Sequence, residues 1–136
     1  MKKLLVIGIM CLLLVGCSKT TNANNNEKTS SYKTITAKEA YDMMDGDVII
    51  LDVRTEAEYE DTHIKGAINI PLDKIDENTL HEVDELESKE VIILVYCASG
   101  NRSKQASSKL AKLGYINVYD FGGISSWNYG VVDGKS

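Results

Sequence analysis

The chain has 136 residues, 43% of them hydrophobic and 26% charged, with a single proline. That is enough for one domain with a real core and too little for two. A formal charge of −5 argues against nucleic acid, or a surface of anionic lipid, as an electrostatic partner.

In chain order, Lys2 and Lys3 precede an unbroken apolar stretch from Leu4 to Val15. It is short for a membrane span and has the layout of a secretory signal over residues 1–16. The stretch ends in "LVGC", residues 14–17, which resembles the lipobox of bacterial lipoproteins. That resemblance implies cleavage before Cys17, a diacylglyceryl group on its thiol, and a chain held at the extracytoplasmic side of the cell membrane. Residues 18–31, "SKTTNANNNEKTSS", have one apolar side chain, Ala23, and cannot bury enough surface to order themselves. As a coil this linker (17–31 with the cysteine) spans about 20 Å, enough to hold a domain clear of the headgroups.

Cys11 falls in the signal and Cys17 at the lipid position, so Cys97 is the thiol left for the folded domain. No internal disulfide is then available. His63 and His81, without a second cysteine beside them, have no recognisable metal spacing, and neither metal nor cofactor is expected.

The domain is read over residues 32–136. "YKTI" (32–35) is a short strand, and Thr36 with Glu39 forms a capping box opening a helix that carries Ala40, Tyr41, Met43 and Met44. "DVIILDV" (47–53) is apolar on both faces, as a strand covered by helices on both sides should be. Thr55 and Glu58 repeat the capping pattern, and "AINI" (67–70) is a strand stopped by Pro71. The acidic stretch 72–90 reads as a solvated helical surface whose inner face is Leu72, Ile75, Leu80, Val83 and Leu86. "VIILVYC" (91–97) is a second fully buried strand, followed by a helix over Ser103–Leu113 that ends at Gly114. "NVYDF" is the last strand and "ISSWNYG" (124–130) a short closing helix, with Trp127 and Tyr129 as core and rim packing. Alternating strands and helices predict a three-layer α/β domain with a mainly parallel central sheet. Nothing in the pattern requires more than a monomer.

This order places Cys97 at the C-terminal end of a central strand, where open parallel sheets bind ligands. The segment after it, Ala98-Ser99-Gly100-Asn101, carries no bulky side chain, so its N–H groups can turn around one point as an anion-binding nest. Arg102 adds a permanent, fork-shaped positive charge. A thiol so placed should ionise below the free value of about 8.5 and act as a nucleophile. The bland alternative is a small buried cysteine ahead of a surface arginine.

Three separated stretches decide between them. "IILDVRTEAEYEDTHIKGAINIPL" (49–72), "CASGNRS" (97–103) and "LAKLGYINVYDFGGISSWNYG" (110–130) resemble, in order and spacing, the signatures of rhodanese-like domains. The resemblance covers nearly all of residues 32–131. It implies a sulfurtransferase in which Cys97 takes a sulfane sulfur from thiosulfate or a persulfide, holds it as a persulfide, and passes it to cyanide or a thiol, including a protein thiol. The N–H groups from Ala98 to Ser103 would cradle that sulfur or the departing sulfite, Ser99 would hydrogen-bond it, and Arg102 would hold the donor's oxygens. Four residues separate Cys97 from Arg102. The phosphatases and arsenate reductases on the same fold have five, so the shorter loop favours sulfur over phosphorus.

Two positions depart from the family pattern. Thr62 stands where glycine usually precedes the signature histidine, His63, and would be strained if that position needs a positive φ. Ala98 follows the cysteine where many thiosulfate-using members have a basic residue. Asp52 and Arg54, at the end of the other central strand, are expected to form a structural ion pair or turn cap more than to shape the pocket. His63 is expected to brace its turn. Two other functions stay open: a binding module with little turnover, and a redox module forming mixed disulfides through Cys97.

Overall fold

The computed structural model describes residues 31–134; the signal, Cys17 and nearly all of the linker lie outside them. The chain builds β1 (Lys33–Thr34), α1 (Ala37–Met43), β2 (Val48–Asp52), α2 (Glu56–Asp61), β3 (Thr62–His63), β4 (Ile68–Asn69), α3 (Glu77–His81), β5 (Ile92–Cys97), α4 (Asn101–Lys112), β6 (Asn117–Gly123) and β7 (Val132–Asp133). Five strands form one sheet in the order β1-β6-β5-β2-β4, and all four pairings are parallel. The central pair, β5 and β2, is the pair of near-continuous apolar runs, because a parallel strand covered on both faces has no solvent side to mark with polar residues.

Alternation along β5 divides the core. Ile93, Val95 and Cys97 face the layer holding Ala106 and Leu110 of α4, with Leu80 and Leu86. Leu94 and Tyr96 face Ala40 of α1, Phe121 and Trp127. Each large side chain so buried contributes about 1.5–3 kcal/mol. The result is the three-layer α/β arrangement, with Cys97 on the α4 side of the sheet. Both helices that open on Thr-x-x-Glu carry complete capping boxes, Thr36 with Glu39 and Thr55 with Glu58.

Three local expectations are corrected. The acidic stretch is not one helix: Leu72–Lys74 and Asp84–Leu86 are single 3-10 turns flanking the five-residue α3, which Asp76 opens as an extended N-cap. "ISSWNYG" forms only a 3-10 turn at Ile124–Ser126. Trp127 then runs extended and its indole N–H donates to the Gly130 carbonyl at 2.8 Å. Thr62 is unstrained, with φ −153°. It lies in β3, which pairs antiparallel with β7, and the left-handed residue of this region is Gly66 (φ 84°).

Candidate active site

Cys97 ends β5 and α4 begins four residues later, at Asn101 rather than the expected Ser103. The cap is Gly100, at φ 105° and without a side-chain hydrogen bond. A residue with a Cβ is strained there. This backbone turns the Gly100 N–H back onto the Cys97 sulfur, N to Sγ 3.0 Å. The other wall of the turn is the end of β6. A Cβ on Gly123 would overlap the Ala98 carbonyl, and the Ser125 N–H donates to that same carbonyl at 3.3 Å. The β5–β6 register shifts between Val95 and Cys97, an irregularity of the kind that re-aims backbone beside functional sites.

The thiol itself is buried, with no exposed surface. Burial pushes its pKa up, but the Ser103 N–H and hydroxyl, then the Gly100 and Ser99 N–H groups, outweigh that and leave it lowered. Charge at the sulfur is thus stabilised by aligned donors at the start of a helix. Ser103 is fully buried, and its hydroxyl, which has one proton, can rotate between the thiolate and the Gly100 carbonyl 3.0 Å away, bracing the turn when it donates to the carbonyl. Alkylation of Cys97 by iodoacetamide should therefore reach half its maximal rate at a pH below the free-thiol range. Ser103→Ala should move that midpoint upward, and an unmoved midpoint would remove Ser103 from the thiolate's support.

Arg102 lies on the first turn of α4. Both of its terminal nitrogens face the Glu58 carboxylate, Nη1 to Oε2 at 2.7 Å and Nη2 to Oε1 at 2.9 Å. Glu58 was legible as the third residue of a capping box but not as a partner of Arg102, 44 positions away. Hydrogen bonding from Arg102, opposed by burial and aided by Thr55, holds its pKa down to about 2. Beside Arg102 runs a groove of about 390 Å³ bordered by Val53, Leu72, Asp73, Gln105 and Lys109. The Lys109 ammonium there donates to the Leu72 carbonyl at 3.3 Å.

Asp52, Arg54 and His63 are placed apart from the loop's hydrogen bonds. Asp52 and Arg54 form a buried ion pair, Nη2 to Oδ2 at 2.7 Å, and the same nitrogen donates to the Thr62 carbonyl at 2.6 Å. Asn69 ties β4 to this turn by donating to the carbonyls of Asp52 and Arg54. Burial, and then Asp52, push the Tyr96 phenol up, and its oxygen accepts from the Ile64 N–H at 3.1 Å. His63 stacks on Tyr59 with 3.8 Å between ring centroids, and its Nδ1 lies 2.9 Å from the Tyr59 carbonyl. Among the described residues no three His, Cys, Asp or Glu side chains gather where a metal could be held.

The profile of the rhodanese-like domain matches residues 36–129. Thiosulfate sulfurtransferase GlpE of Coxiella burnetii is 35% identical over 98 residues, 71% of this chain and 87% of its own. Thiosulfate sulfurtransferase PspE of Escherichia coli is 38% identical over 74 residues, 54% of this chain and 68% of its own. A rhodanese-like domain protein from Staphylococcus aureus superposes with a TM-score of 0.63 at 31% identity, over 74% of this chain and 97% of the other. A rhodanese from E. coli, solved with anions, gives 0.56 at 35% identity, over 63% and 98%.

Proposed function

This chain belongs to the rhodanese-like domain family and is a rhodanese-type sulfurtransferase, and from that premise we propose that Cys97 carries the sulfur as a persulfide. One observation supports this above the others: the thiol ends a central strand with the Gly100 N–H 3.0 Å from its sulfur and ionises more readily than a free cysteine despite burial. With thiosulfate as donor, the Cys97 thiolate attacks the outer sulfur. A Cys97–sulfur bond forms, the sulfur–sulfur bond of thiosulfate breaks, and sulfite leaves with the electron pair. The terminal persulfide sulfur would be cradled by the N–H groups of residues 98–103, of which those of Ser99, Gly100 and Ser103 already face the thiol, and the Ser99 hydroxyl would add a further donor. Cyanide or a thiolate then attacks that sulfur and Cys97 departs as the thiolate. Two displacements replace one direct transfer. With a persulfide donor the same attack expels a thiolate in place of sulfite.

The test is an intact mass of the full-length protein before and after thiosulfate. A gain of one sulfur atom, discharged by cyanide, is expected. No gain, with the thiol still open to iodoacetamide, removes thiosulfate as a donor and turns attention to persulfides.

Anchoring by lipid belongs to the same proposal. Cys17 in "LVGC", after an apolar run and ahead of a polar linker, supports a diacylglyceryl anchor at the extracytoplasmic face of the cell membrane, where two acyl chains give stable attachment. Cys17→Ser should lose incorporation of labelled palmitate. Equal labelling of that variant removes the anchor.

A further inference from the structure

The cation beside the nucleophile is already paired. Arg102 faces Glu58 with both terminal nitrogens, at 2.7 and 2.9 Å. Glu58 in turn is locked in place: its Oε2 also accepts from the Thr55 N–H and the Thr55 hydroxyl, each at 2.9 Å. Turning this carboxylate away would break the capping box that starts α2 as well as the ion pair. Glu58 also stays ionised wherever Cys97 is a thiolate, because its pKa is held at about 2 by Arg102, against burial. Glu58 is the largest cause that keeps the Arg102 proton in place, and the Cys97 charge is a smaller one. One cation is therefore shared between two anions.

From this geometry we propose that Glu58 sets donor selectivity, by neutralising Arg102 and so disfavouring doubly charged sulfur donors relative to singly charged ones. The inference rests on the sulfurtransferase reading and adds a positioning residue to it. The charges decide the sign. Thiolate, Glu58 and Arg102 sum to one negative charge, and thiosulfate enters that field as a dianion. Ala98, next to the cysteine, contributes no charge to offset it. An organic thiosulfonate presents the same reacting sulfur–sulfur bond with one negative charge. The thiolate attacks its outer sulfur, and a sulfinate leaves with the electron pair.

Glu58→Gln removes the charge and keeps a side chain that completes a capping box. Coulomb energy is proportional to the donor's charge. If KM for thiosulfate falls about tenfold, KM for methanethiosulfonate should fall only about threefold, with kcat changed little for either. The assay is thiocyanate formation by the full-length protein with cyanide as acceptor. Equal changes for the two donors, or a rise in KM for thiosulfate, overturn the proposal. Sulfate supplies a second, unreactive reading. Its protection of Cys97 from iodoacetamide should tighten about tenfold in Glu58→Gln, and unchanged protection also overturns the proposal. Transfer from neither donor, nor from a persulfide such as glutathione persulfide, by the wild-type chain would instead sink the sulfurtransferase reading, and the sulfate measurement would then decide the role of Glu58 alone.

Discussion

Cys97→Ser is expected to lower sulfur transfer by about 10³-fold or more, the scale seen when a covalent nucleophile is removed, while the melting curve moves by only a few degrees. Both halves follow from the same surroundings. The Gly100 N–H that stabilises the thiolate at 3.0 Å can equally donate to a buried serine hydroxyl oxygen, so the stability change stays within about 1 kcal/mol. The chemistry has no such substitute. A hydroxyl is not ionised near neutral pH even among these donors, and it forms no persulfide. In the mass measurement the serine variant should gain nothing from thiosulfate. A variant that still gains sulfur, or turns over at the wild-type rate, would place the carrier elsewhere. Neither Cys11 nor Cys17 lies in the rhodanese-like domain, so the whole mechanism would then have to be abandoned.

Much of this site could be read from the chain because it is local. A buried apolar run ending in cysteine, small residues and an arginine specify strand end, nest and helix start within eight positions. The two central strands were legible for a related reason: a strand covered on both faces is written as a block, and no register needs to be guessed. The capping boxes were legible because their partners are three residues apart. What escaped is non-local or too short to carry a period. Two-residue strands such as β3 and β7 show no alternation, so neither their pairing nor the extended backbone of Thr62 could be inferred. The start of α4 lies two residues before the point the pattern suggests, because Gly100 caps it through backbone conformation and offers no side-chain signal. Glu58 is the most instructive miss. Its capping role accounts fully for its presence at that position, and nothing in the spacing tells that the same carboxylate also meets Arg102. A residue already explained locally draws no further question from sequence, and only the Arg102–Glu58 contact between α4 and α2 raises one.

The other large effect belongs to the pair behind the site. Arg54→Ala is expected to lower stability by about 3–5 kcal/mol, the usual consequence of removing one member of a buried ion pair. At 4–8 °C per kcal/mol for a domain of this size, that is a fall in Tm of roughly 12–40 °C. The reason is what stays behind. The Asp52 side chain has no exposed surface and the Arg54 side chain only 6%, so water cannot reach the carboxylate once the guanidinium is gone. Asp52 would keep the Arg54 N–H, 2.9 Å from Oδ1, and lose the Nε and Nη2 donors at 2.7 to 3.1 Å. The Thr62 carbonyl would lose its 2.6 Å donor as well, which loosens the connection from α2 into β3. Replacing both members, as in Asp52→Leu with Arg54→Met, removes the stranded charge along with its partner, and apolar pairs in such places are often neutral. The double variant should therefore melt much closer to the wild type than Arg54→Ala does. Thermal melts of the single and double variants check this directly. If Arg54→Ala melts within about 3 °C of the wild type, water or another group must be reaching Asp52. If the double variant is as unstable as the single one, the loss lies in the Thr62 carbonyl and the residue-54 N–H left without partners and not in the buried charge.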